Sequence, residues 1–99
     1  MSDSVTLIVT AIPNASEMAS VQSYLQGVLP LLQGAGGSLV KRLKTEQCLN
    51  GHPTGMVLVM DFDSADDVTA IFDSEKYAEL IPARDRGFAE MNIHLANSM

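Results

Sequence analysis

Three polar side chains alternate along one short stretch near the end of the chain: Glu90, Asn92 and His94. An imidazole, a carboxylate and an amide on one strand face are the parts of a proton-abstracting site. His94 would serve as base, Glu90 would orient it, and Asn92 would donate to a developing oxyanion. Arg84 lies seven residues after Tyr77, so both project from nearly one side of a helix. A guanidinium there could bind a carboxylate or a carbonyl of a small ligand. Thr6, Thr10 and Arg42 or Lys44 could join the same surface. Each feature also has a plainer reading. Polar alternation is what any half-exposed strand shows. Tyr77 would equally serve as core, with Arg84 paired outside to Glu75, Glu79 or Asp85.

Other reactive residues carry less. His52 sits in a turn-rich loop, and two His and one Cys far apart give no metal-ligand spacing. Cys48 has no base beside it in sequence and reads as a small buried or partly buried thiol rather than a nucleophile. Asp61, Asp63, Asp66 and Asp67 lack the Gly and terminal Glu of a calcium loop, and helix capping explains them better. Gly34, Gly36 and Gly37 follow a helix rather than open one, so they form a C-cap and not a phosphate cradle. No cofactor motif is present.

These residues need elements to hold them. Val5 to Ile12 alternates as a strand, with Val5, Leu7, Val9 and Ala11 on one face, and Pro13 ends it. Asn14 with Glu17 predicts a capping box. Met18, Val21, Leu25, Val28 and Leu32 predict one apolar helix stripe, with a kink or break at Pro30. Ser38 to Gln47 predicts a second strand, with Leu39, Lys41 and Leu43 on one face and Val40, Arg42 and Lys44 on the other. Cys48 to Gly55 is a loop with an Asn-Gly turn, and Met56 to Phe62 a third strand. Ser64 caps a short helix carrying Val68, Ile71 and Phe72. Ser74 caps another carrying Tyr77, Leu80 and Ile81, which Pro82 distorts at its end. The last strand runs from Phe88 to Leu95. Its apolar row is Ala89, Met91, Ile93 and Leu95, and its polar row is Phe88, Glu90, Asn92 and His94.

The order strand, helix, strand, strand, helix, strand is the split βαβ pattern of an α+β, ferredoxin-like fold. Right-handed crossovers put both helices on one face of a four-stranded antiparallel sheet. The first and third strands are apolar on both sides, so helices can cover only one row. The bare row is a contiguous apolar surface, and the simplest cover is a second copy about a twofold axis. A face-to-face homodimer is therefore expected.

Composition narrows the function further. Ninety-nine residues predict one domain over 1–99, and 46% hydrophobic against 18% charged residues is ordinary for a globular chain. A net charge of -6 disfavours nucleic acid as partner, since phosphate backbones are bound by concentrated Lys and Arg. A lone Cys suits a reducing compartment. Met1-Ser2-Asp3-Ser4 has no basic region or long apolar core, so no signal peptide is expected, and no apolar run reaches the ~18 residues of a membrane span. A cytoplasmic protein is the expectation.

Three stretches together carry a resemblance: Gly36 to Arg42, Val57 to Ser64, and Ser74-Glu75-Lys76-Tyr77 through Arg84. Their ordered set resembles the domain-of-unknown-function family numbered 1330, within the dimeric α+β barrel superfamily. The resemblance implies a dimeric barrel and no settled activity. Superfamily relatives include cofactor-free monooxygenases, small-lactone isomerases and haem-binding enzymes, but fold alone does not carry function across. Two readings follow. One is a barrel that binds a small organic molecule or serves a structural role. The other is a cofactor-independent enzyme acting on a small carbonyl or aromatic metabolite through His94, Glu90, Asn92 and Arg84.

Overall fold

A computed structural model describes residues 4–99. The expected absence of a signal sequence concerns Met1, Ser2 and Asp3, which lie outside the described residues. The alternation of the first strand is realised directly. In β1 (Val5–Pro13), Val5, Leu7, Val9 and Ala11 are buried while Thr6, Ile8, Thr10 and Ile12 are half-buried. A short 3-10 turn (Ala15–Glu17) leads into α1 (Met18–Gly34). Then come β2 (Ser38–Lys44), β3 (Met56–Phe62), α2 (Ala65–Phe72), α3 (Glu75–Ala78), α4 (Ile81–Gly87) and β4 (Phe88–Ala96). The strands form one antiparallel sheet in the order β2-β3-β1-β4. This is the α+β, ferredoxin-like βαββαβ arrangement, with the helices on one face.

The core lies between the sheet and that helical layer. Leu7, Met60 and Phe62 from the central strands meet Val28 and Leu32 of α1 and Val68 of α2. Burying each such side chain stabilises the fold by about 1.5–3 kcal/mol. The opposite face carries Ile8 and Ile12 of β1 and Val57 and Val59 of β3, all half-buried, with Leu43 of β2 exposed at 47%. No helix lies over this second face, as the two-sided apolar strands require. Among the described residues no helix is long and apolar enough to cross a membrane.

Several local expectations are corrected. Asn14 makes no side-chain cap. Its amide Nδ2 instead donates to the Arg86 carbonyl at 3.0 Å, tying β1 to α4. The buried stripe of α1 is Val21, Tyr24, Val28 and Leu32; Met18 is exposed and Leu25 only half-buried. Pro30 interrupts nothing: α1 continues to Gly34 with Pro30 on its solvent side. The chain then leaves through Gly36 at φ 95°, and the Gly37 N–H returns to the Leu32 carbonyl at 3.0 Å. This Schellman geometry needs a residue without Cβ. Pro82 does not end the helix that Ser74 starts. That helix stops at Ala78, and Pro82 sits in the first turn of α4, where a missing N–H costs nothing.

Two β-bulges re-aim side chains. In β2 the pairing shifts between Leu39 and Lys41, leaving Val40 extra. Leu39 therefore pairs with Met60, and Arg42 with Leu58, both on the helical side, while Lys41 and Leu43 pair with Val59 and Val57 on the bare face. In β4 the shift falls between Glu90 and Phe88. Phe88 turns into the core at 5% exposure and Ala89 is exposed, the reverse of the expected rows. An extra residue in one strand flips every side chain beyond it.

Candidate functional site

A groove of about 550 Å³ lies between the short helices and the β4 edge. Its walls are Val68 and Phe72 of α2, Ile81 of α4, Leu7 of β1, and Ile93 and Leu95 of β4. Tyr77 and Arg84 supply its polar end, with Asp73 at the rim.

Capping explains how Tyr77 arrives there. Ser74 Oγ accepts from the Tyr77 N–H at 3.2 Å, which starts α3 and turns the phenol inward. Tyr77 is 2% exposed and packs edge-to-face on Phe72, with ring centroids 4.7 Å apart. Tyr24 completes an aromatic cluster, 6.1 Å from Tyr77 and 5.6 Å from Phe88. The two phenol oxygens are hydrogen-bonded at 2.9 Å. Arg84 Nη1 donates to the Tyr77 hydroxyl at 3.1 Å, and Arg84 Nε donates to Asp85 Oδ1 at 3.2 Å. A chain of hydroxyls thus runs from the core to a half-buried guanidinium at the groove. Burial works to lower the Arg84 pKa, but the bonds to Tyr77 and Asp85 outweigh it and hold it above its ordinary value. Burial first, then the bond to Tyr77, pushes the Tyr24 phenol far above the usual tyrosine range.

That shift has a measurable consequence. The folded pKa is raised, so the stabilisation is complete below the unfolded value of 10.0 and is lost as pH rises through the folded one. Thermal melts taken from about pH 8 to about pH 11 are expected to fall on the alkaline side. Tyr24→Phe is expected to flatten that limb while costing roughly 1 kcal/mol at neutral pH from the lost bond. An unchanged alkaline limb in Tyr24→Phe would place the titration elsewhere.

The structure divides the residues expected to act together. Tyr77 and Arg84 do meet, although on two helices rather than one. Glu90, Asn92 and His94 pair with Ile12, Thr10 and Ile8, so their side chains lie on the bare face. There Asn92 Nδ2 donates to Glu90 Oε2 at 3.1 Å and to Thr10 Oγ1 at 3.5 Å. His94 borders the groove along the strand edge, but the pleat directs its ring to the other side of the sheet from Arg84. Arg84 and His94 thus border the same groove from different sides of the strand. Arg42 stands apart from both, on the helical side of β2, in a hollow of about 380 Å³ beside Gln22, Gln26 and Gln33 of α1. Lys44 follows the same side.

Cys48 and His52 line a wide recess of about 1100 Å³ under the loop between β2 and β3. The thiol is exposed rather than buried as expected, because it sits in the loop and turns toward the Asn50 and Gly51 carbonyls at 3.5 and 3.4 Å. Among the described residues, His, Cys, Asp and Glu form no cluster able to hold a metal ion. The residue that sequence reasoning missed is Tyr24. Its signal was its spacing of three and four from Val21 and Val28.

Comparison with known proteins gives a consistent picture. A family model described as Domain of unknown function (DUF1330) matches residues 6–99. No curated protein matches. Among solved structures, a protein of unknown function from Rhodopseudomonas palustris superposes with a TM-score of 0.83 at 12% identity. That match covers 100% of this chain and 85% of that one. A dabb family protein with a ferredoxin-like fold from Mesorhizobium loti gives 0.69 at 14% identity, covering 97% of each chain. A dimeric protein of unknown function and ferredoxin-like fold from Bacteroides fragilis gives 0.63 at 13% identity, covering 96% of each. These identities speak to the fold.

Proposed function

The chain belongs to the DUF1330 family, and from that premise we propose that it is a one-domain homodimeric barrel that binds a small organic molecule in the groove bounded by α2, α4 and β4. The observation that carries the binding is the groove itself: apolar walls converging on one guanidinium held in place by a buried phenol. The dimer rests on the uncovered sheet face with Ile8, Val57 and Val59 at its centre. The dimeric Bacteroides fragilis relative supports it. Glu90, Asn92 and His94 then serve the subunit interface, and Arg84 and Tyr77 serve the ligand. A net charge of -6 places nucleic acid outside this reading, and an exposed free thiol suits the cytoplasm.

The test is a panel of small apolar molecules followed by nuclear magnetic resonance of the labelled protein. Perturbations confined to Val68, Phe72, Ile81 and Ile93 are expected for those that bind. Phe72→Asp is expected to abolish these shifts, and His94→Gln to leave them unchanged. Shifts confined to residues outside the groove, or loss of binding in His94→Gln, overturn the proposal.

A further inference from the structure

We propose that the groove selects an uncharged, oxygen-bearing ligand such as a ketone, aldehyde, quinone or ester, and rejects carboxylates, with Asp85 as the residue that sets this preference. The inference rests on the groove reading above and decides its ligand class.

Arg84 is the single Lys or Arg among the described residues lining the groove. By itself it would favour an organic acid, because a guanidinium matches a carboxylate through two parallel N–H bonds. That fork needs a free pair of donors, either Nε with one terminal nitrogen or both terminal nitrogens. Here Nε already donates to Asp85 Oδ1 at 3.2 Å and Nη1 to the Tyr77 hydroxyl at 3.1 Å. The Nε edge is closed, and Nη1 has given one of its two N–H groups to the phenol, so a carboxylate fork has at most the terminal edge left to it, whereas a carbonyl oxygen needs a single free N–H.

Charge points the same way. Asp85 neutralises Arg84 at contact distance. Asp73 lies on the rim of the same groove. Asp85 and Glu90 line a second hollow of about 440 Å³ that shares Arg84 and Ile93 with the first. One cation thus has Asp85 at contact distance and Asp73 on the rim, in a chain of net charge -6. An incoming anion would displace Asp85 or lie beside it, and like charges at such separations repel. A neutral acceptor meets neither obstacle, and the aliphatic and aromatic walls hold its apolar body.

Acetophenone and benzoate test this as a matched pair, since they share a ring and differ in charge. Affinities are measured by calorimetry, and the bound position by resonance shifts at Phe72 and Ile93. Wild type is expected to bind acetophenone about tenfold more tightly than benzoate, a difference of about 1.4 kcal/mol. Asp85→Asn is expected to tighten benzoate several-fold and acetophenone little. Asp85 is largely exposed, so this variant keeps the fold. Arg84→Gln is expected to weaken acetophenone. Benzoate binding more tightly to wild type, or Asp85→Asn leaving the ratio unchanged, overturns the selectivity while the groove stands. Neither probe shifting Phe72 or Ile93 overturns the groove reading and the selectivity with it.

Discussion

Gly87→Ala is expected to lower the melting temperature by roughly 10–20 °C, corresponding to about 2–3 kcal/mol for a chain of this length. A Cβ added there would stand 2.8 Å from the Val21 nitrogen, 3.0 Å from the Ser20 carbonyl carbon and 3.1 Å from the Val21 Cα. All three are backbone atoms of α1, so no side chain can rotate aside. The two helices must part. Movement of α4 carries Arg84 away from Tyr77 and strains the joint where Asn14 N–H donates to the Gly87 carbonyl at 2.8 Å. Ligand affinity should therefore fall together with stability. Calorimetric melting measures the first and titration with a groove-binding probe the second. A variant that melts with wild type would show that α1 and α4 do not approach this closely.

Val59→Asp is expected to separate the subunits of the proposed dimer, raising its dissociation constant at least about 100-fold, or ~2.7 kcal/mol. Val59 sits at the middle of the uncovered face, beside Ile8 and across from Lys41. In a single subunit it is half-buried, so the aspartate stays in contact with water and the fold tolerates it. Between two sheets the same carboxylate must lose its hydration, a cost of several kcal/mol that Lys41, exposed on the edge strand, offsets only in part. Sedimentation velocity at micromolar concentration distinguishes the two states. Glu79→Lys, on the exposed helical side, is expected to remain dimeric. If Val59→Asp also remains dimeric, the association uses another surface.

The architecture was legible because its strongest signals are local and periodic. The strands of Val5 and Met56 alternate on both faces, and Ser64 and Ser74 start helices where a hydroxyl accepts from a free N–H, at 3.1 Å from Asp66 and 3.2 Å from Tyr77. What escaped was decided by neighbours distant in sequence. Nothing in Leu39-Val40-Lys41 marks the middle residue as extra; the partner strand sets that count. The same holds for Ala89, whose bulge sends Phe88 into the aromatic cluster. Asn14 has the composition of a cap, yet its amide finds a carbonyl 72 residues away. Pro82 reads as a distorted helix end because the break at Glu79 and Leu80 carries no residue signature of its own.

The site shows the same division. Arg84 and Tyr77 could be paired from sequence, though for the wrong reason, since spacing on one helix gave the answer that a turn between two helices produces. Arg84 and His94 line one groove, but the pleat sends their side chains to different sides of the sheet. Strand alternation correctly put His94 opposite Ile93, but the identity of the residues on the far side of the sheet says nothing about which helical side chains reach the near side. Tyr24 was hidden by the choice of stripe: counting from Met18 to Leu25 shifts the helix face enough to leave the phenol out.

The exposed β2 edge carries three of the chain's six basic side chains, Lys41, Arg42 and Lys44, around the irregular pairing at Val40. Unprotected edges template fibrils, and an otherwise acidic protein has few charges of this sign to spend. Concentrating them here, on a strand that also exposes Leu39, Val40 and Leu43, makes this edge a gatekeeper against runaway self-stacking. Like charges here disfavour the addition of strand upon strand, and neutralising the three is expected to lower solubility at high concentration.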